Sequence, residues 1–132
     1  MIDPKNTSLR DIISEFISVF CRDYDQMEKL LDPDVVSHIT NAYGGVDKVQ
    51  GREALMKRIR AMNVVGVKFR ITITQMVTIK PEQGLVMVEI KAIREGKTLH
   101  NFAAFLIHVK NSRINNLWMV EASPAHSDKF WM

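Results

Sequence analysis

The chain predicts an α+β fold in which a strongly bent antiparallel β-sheet is wrapped around helices. Three observations carry this. The first half holds apolar residues at helical spacing in three separate segments, and from Val67 onward the pattern changes to period two. The turns joining the later runs are short, so successive strands must be antiparallel neighbours. A bent sheet with three helices from the first half in its hollow leaves a cavity, and the few polar residues facing that cavity become the candidates for function.

Leu9, Ile12, Ile13, Phe16, Ile17, Phe20 and Cys21 recur at three- and four-residue steps, forming one stripe of a helix, with Asp11, Glu15 and Arg22 largely off it. Thr7 or Ser8 can cap its start, and Asp11 lies in the first turn, where negative charge is favourable. A shorter helix is expected from about Asp25 to Leu31, with Tyr24, Met27, Leu30 and Leu31 toward the same core. Pro33 stops it, because the residue before a proline is pushed out of helical geometry, and Asp32-Pro33-Asp34 reads as a turn. Val35 to Thr40 is rich in β-branched residues and reads as a strand, and Tyr43-Gly44-Gly45 gives the backbone freedom for a reversal. A third helix starts at Gly51-Arg52-Glu53-Ala54-Leu55. Ala54, Leu55, Ile59 and Met62 form its apolar side, Arg52, Lys57 and Arg60 its wet side, and it stops near Asn63, before Gly66.

Val67, Phe69, Ile71 and Ile73 then alternate with Lys68, Arg70, Thr72 and Thr74, a strand with one wet face. Turns at Pro81-Glu82-Gln83-Gly84, Glu95-Gly96-Lys97 and Asn111-Ser112-Arg113 separate it from strands over 85–94, 99–110 and 114–121. The 99–110 strand is apolar on both faces from Phe102 to Ile107, which suits a central strand covered on one side by helices and on the other by a second subunit. From Ala122 periodicity is lost, yet Phe130 and Trp131 are large enough that they should dock on the domain or a partner.

With 132 residues, 46% hydrophobic and 25% charged, the chain reads as one domain over residues 1–132. No apolar stretch approaches the roughly 18 residues of a membrane helix, and Met1 to Lys5 lacks a basic start followed by an apolar run. A soluble, cytoplasmic protein with no membrane partner is expected. Cys21 is the only cysteine, cannot form an internal disulfide, and reads as packing. The net charge of +3 comes from Lys and Arg scattered through every segment, so no nucleic acid partner is expected. His38, His100, His108 and His126 stand in separate segments, and Gly44-Gly45 has no following lysine. Neither a metal nor a cofactor is expected.

The first amphipathic helix, the Leu30-Leu31-Asp32-Pro33-Asp34-Val35-Val36 run, the Gly51-Arg52-Glu53-Ala54-Leu55 helix start and the closing Ile114-Asn115-Asn116-Leu117-Trp118 strand resemble the nuclear transport factor 2-like superfamily. The resemblance is to its SnoaL-like polyketide-cyclase and ketosteroid-isomerase-like branch, and it covers nearly the whole chain. It implies a cystatin-like α+β barrel, a cone of bent sheet with an apolar pocket at its open end, commonly dimeric through the sheet. It also implies acid or base groups placed in that pocket. The ketosteroid-isomerase-like pattern needs a carboxylate in the strand after Asp34 and a tyrosine from the first helix. Here Ile39 stands at the first place and Glu15, beside Phe16, at the second, so that reaction is not carried over.

His38, in the first strand near the family's base, and Glu121, at a strand end where polyketide-cyclase-like relatives place an acid, are the candidate acid–base pair. Each has a plainer reading, as an outward strand residue and a solvated carboxylate. Tyr43 could donate to a ligand oxygen or only cover the sheet edge. His100 shares a face with Phe102, Ala104 and Leu106, and Asn101 shares the other with Ala103, Phe105 and Ile107, so one of the two points inward as a ligand-binding group. Trp118 is expected in the pocket wall. The functional expectation is a small-molecule pocket protein, isomerase- or cyclase-like, moving a proton on a small apolar carbonyl ligand, as a homodimer through the sheet face. The alternative is a non-catalytic homodimeric binding or interaction module whose vestigial pocket is filled by Phe16, Trp118 and methionines.

Overall fold

The fold is seen in a computed structural model that describes residues 8–62 and 67–131. Thr7, Asn63, Gly66 and Met132, to which parts of the sequence reading refer, lie outside the described residues. Helix α1 (Leu9–Val19) is capped by Ser8, whose hydroxyl accepts from the Asp11 N–H, and it buries Ile12, Ile13, Phe16 and Ile17 as the apolar stripe requires. The helix ends before the stripe does. Cys21 takes a left-handed φ of 58°, and the N–H groups of Arg22 and Asp23 both close on the Val19 carbonyl, so the buried thiol sits in the turn beyond the helix. Helix α2 (Tyr24–Leu30) follows, capped by Asp23.

Strand β1 (Leu31–Thr40) starts directly after α2, four residues before the run that the β-branched residues mark. The predicted Asp32-Pro33-Asp34 turn is therefore an irregularity within the strand. Asp32 Oδ1 accepts from the Asp34 N–H at 2.8 Å, and the register with the neighbouring strand shifts between Leu31 and Val36. Tyr43-Gly44-Gly45 reverses the chain into β2 (Val46–Gln50), a short edge strand that the sequence reading does not anticipate because it carries Asp47 and Lys48 and no apolar run. Helix α3 (Arg52–Arg60) buries Leu55, Met56 and Ile59 and leaves Ala54 exposed, so its inward side is turned toward Met56 relative to the expected one.

Strands β3 (Lys68–Lys80), β4 (Gln83–Arg94), β5 (Lys97–Lys110) and β6 (Arg113–Glu121) form the expected meander. The sheet order is β2-β1-β6-β5-β4-β3, and β1 runs parallel to β6, so the sheet is mixed rather than wholly antiparallel. Turn residues specify only strands that are neighbours in the chain, and β1 meets β6 across the rest of the fold. Strands β2 and β3 remain open edges, so the curled sheet is not closed into a barrel.

The concave face of β4 and β5 carries Val86, Val88, Ile90, Ala92, Leu99, Ala103, Phe105 and Ile107, all buried. Helix α1 lies in this hollow, where Phe16 and Phe20 meet Phe105 edge-on with ring centres 6.1 and 5.6 Å away. Gly84 lets the helix come close, since a Cβ there would stand 2.5 Å from Ile13 Cδ1. The chain ends in helix α4 (Pro124–Trp131), which buries Phe130, while Trp131 packs edge-on against Phe69. Arg94 donates to the Phe130 carbonyl at 2.9 Å and holds the helix to the β4 end.

Phe105 is fully buried between the sheet and α1, so Phe105→Ala should lower the unfolding free energy by about 3–5 kcal/mol in urea titration. A loss below about 1 kcal/mol would contradict this packing.

Candidate functional site

A cavity of about 130 Å³ lies between the concave face of the sheet and helices α3 and α4. Its walls are apolar, with Phe20, Ile39, Ile90, Leu99, Leu117 and Met119 among them. Glu121, Ser127 and Asp128 give it one polar end, and Arg58 stands at the same end.

Glu121 reaches this end because β6 alternates. Leu117 and Met119 point inward, and Glu121 follows two residues later on the same face. Its backbone N–H donates to Thr40 Oγ1 at 3.0 Å, fixing the β6 end against β1. Burial pushes the Glu121 carboxyl above its ordinary value, and the nearby charge of Asp128 acts in the same direction. Hydrogen bonds from Ser127 and Asn101, together with the positive charge of Arg58, oppose the rise without cancelling it.

Asn101 is 2% exposed and its amide is fully engaged. Nδ2 donates to Glu121 Oε2 at 2.9 Å and to the Ser123 carbonyl at 3.3 Å. Oδ1 accepts from the N–H groups of Phe102 at 2.9 Å and Ser123 at 3.1 Å. An amide has two N–H donors and two lone pairs, so no capacity is left for a ligand. Asn101 is a positioning residue: it aims Glu121 and fixes the backbone that leads into α4.

Arg58 is held at the rim by Asp47, whose Oδ2 accepts from it at 3.0 Å. Asn41 donates to the other Asp47 oxygen at 3.0 Å, and the two bonds, Asn41's first, keep the Asp47 carboxyl below its usual range. In the turn behind the cavity, burial pushes the Cys21 thiol up to about 12, which keeps it protonated and unreactive at neutral pH. Among the described residues no three His, Cys, Asp or Glu side chains gather as metal ligands.

No protein-family profile and no curated protein matches this sequence. Solved structures do match it. A nuclear transport factor 2-like protein of unknown function from Cytophaga hutchinsonii superposes with a TM-score of 0.67 at 20% identity, covering 88% of this chain and 91% of that one. A protein from Jannaschia sp. CCS1 described as a SnoaL-like polyketide cyclase gives a TM-score of 0.74 at 10% identity, covering 92% and 90%. The chain has the nuclear transport factor 2-like fold. An LEH-like epoxide hydrolase from M. tuberculosis shares it as well, with a TM-score of 0.72 at 16% identity over 91% of this chain and 86% of that one.

Within this nuclear transport factor 2-like cone, Ile39 forms part of the cavity wall and Glu15 is exposed on α1, so neither supplies an acid to the interior. The carboxylate comes from the end of β6 instead.

The expected His38–Glu121 pair is not made. His38 lies between the buried Ser37 and Ile39 and therefore points to the convex face, where it stacks on Trp118 with ring centres 4.1 Å apart. Trp118 is outside for the same reason, since Leu117 and Met119 on either side point inward, and it forms no part of the cavity wall. His100 is also on the convex face, with Nε2 2.8 Å from Glu89 Oε2, because Leu99 and Asn101 take the inward positions. Tyr43 is 97% exposed at the β1–β2 hairpin tip, where Asn41 Oδ1 accepts the N–H groups of Tyr43 and Gly45 and turns the tyrosine outward.

Sequence reasoning missed Arg58, Ser127 and Asp128. A signal for the last two exists: Ser123-Pro124 is a helix-start pair, and Ser127, Phe130 and Trp131 fall at helical spacing after it.

Asn101→Ala strips a donor from Glu121 and leaves the Ser123 N–H without its partner, while the Ser123 carbonyl keeps the Ser127 N–H. The expected loss is about 1–3 kcal/mol in urea unfolding, and an unchanged midpoint would show that the amide is not the anchor described.

Proposed function

We propose that this chain binds a small, largely apolar molecule carrying a carbonyl or similar oxygen in the cavity, and transfers a proton on it through Glu121. The observation that carries this reading is a desolvated carboxyl at the polar end of an otherwise apolar cavity. A carboxyl raised above its ordinary value is a better acid–base catalyst near neutral pH, because both protonation states come within reach. Asn101 holds it in one orientation, and Ser127 shares a hydrogen bond with it. The volume of about 130 Å³ is close to the roughly 150 Å³ of an apolar cavity that accepts benzene, so a single-ring or short-chain compound is the appropriate size. The descriptions of two similar structures as a polyketide cyclase and an epoxide hydrolase support an enzymatic reading. The proposed setting is the cytoplasm, and among the described residues no helix is long and apolar enough to cross a membrane.

The test is exchange of α-protons on a panel of small cyclic ketones in D2O, followed by NMR. Catalysed exchange is expected for at least one ketone, with Glu121→Gln slowing it by about 100-fold or more and His38→Ala leaving it unchanged. Exchange that survives Glu121→Gln, or is absent from the whole panel, contradicts the reading and favours a non-catalytic module.

A second proposal concerns the convex face, where Met87, Phe102, Trp118 and Val120 are exposed beside the half-buried Ala104 and Leu106. The occupant we propose is a second copy of the chain. A twofold axis brings a patch onto itself, and this one has no charge at its centre to be repelled by its own image. A stable dimer needs more than about 1,000 Å² of buried surface in total. Sedimentation of the intact protein at micromolar concentration should show a dimer that Phe102→Glu converts to monomer; a monomeric parent protein contradicts the proposal.

A further inference from the structure

Lys and Arg scattered along the chain are gathered by the sheet. Arg70 on β3 is the register partner of Lys91 on β4, and Lys91 is the register partner of His100 on β5. All three are exposed on the convex face, since the residues flanking them on each strand point inward. Lys68 stands on the next rung, in the same row as Ile93 and Thr98. Like charges directly opposite one another on a sheet repel, and neighbouring strands are only about 4.8 Å apart.

Among the described residues the carboxylate beside this row is Glu89, one rung away; it is hydrogen-bonded to His100 at 2.8 Å, and the Lys91 charge also helps hold its carboxyl below the usual range. Among the described residues Lys68, Arg70 and Lys91 form no ion pair within 4.0 Å. These side chains line a groove of about 480 Å³ with no Asp or Glu among the described residues of its walls. At Thr98 the groove meets a second one of about 310 Å³, which Lys97 and Lys129 line, again without a carboxylate. Glu121 lines neither groove.

From this we infer a binding site for a small polyanion of the phosphate-ester class across the Arg70–Lys91–His100 row. Three adjacent strands span about 10 Å, room for more than one phosphoryl group. Arg70 supplies a planar donor fork, Lys68 and Lys91 supply point charges, and the Thr98 hydroxyl supplies a neutral hydrogen bond. A bound anion would also relieve the repulsion that the row otherwise carries.

The experiment is titration of the full chain with pyrophosphate at low ionic strength, read by calorimetry and by amide NMR shifts. Saturable binding is expected, with shifts centred on Lys91 and Thr98, and with affinity falling as salt is added. Lys91→Glu should weaken it by about tenfold or more. Lys48→Glu, which makes the same charge change on β2 at the far side of the sheet, should leave it unchanged. Thermal melts of both variants confirm folding. Absence of saturation, or equal weakening by Lys48→Glu, overturns the site. Saturable binding of a single-stranded oligonucleotide with none of pyrophosphate overturns the small-anion assignment.

Discussion

The polar end of the cavity depends on one buried amide. Asn101 joins the β5 backbone at Phe102, the Glu121 carboxyl and both backbone groups of Ser123. A buried polar group without partners costs more than its hydrogen bond gains, so these four bonds must form together or the local structure must change. Their combined geometry decides where β6 stops, where α4 begins, and which way the carboxyl faces. Ser127 and Asp128 reach the cavity only because α4 starts where Ser123 is held.

This constraint acts within a hollow made by ordinary packing. Phe16, Phe20 and Phe105 fix α1 in the curl of the sheet, and Gly84 sets how closely it approaches β4. The space that remains beside α3 and α4 is lined by side chains with no hydrogen-bonding groups except at one end. A carboxyl placed there loses most of its water, which is the cause of its raised pKa. On β1 Ile39 is an apolar part of the wall, and the carboxyl of the cavity comes from the end of β6.

Much of the framework was legible in the chain. The 3,4-spacing of α1 and the alternation in β3 identify those elements from local pattern alone, and the short turns dictate the β3–β6 meander. Glu121 was singled out by the resemblance, at a strand end where relatives place an acid; the period it shares with Leu117 and Met119 turns it inward, but only the fold shows that this face is the inner one. The Asn101–His100 ambiguity was resolved only when the fold showed which face α1 covers. Period two gives two faces without saying which is inside, and that is why His38 and Trp118 were misplaced. The parallel pairing of β1 with β6 left no local trace, because no turn connects them. The basic row at Arg70, Lys91 and His100 was invisible for the same reason: its members come from three strands.

The central claim is that the fold desolvates Glu121 while Asn101 holds it. Titration of the Glu121 side-chain carboxyl carbon by NMR, in the intact folded protein, tests it directly. The account predicts a midpoint above the ordinary glutamate value of 4.5. A midpoint at or below 4.5 would mean that the carboxyl is solvated or charge-stabilised, and would contradict the account of the site.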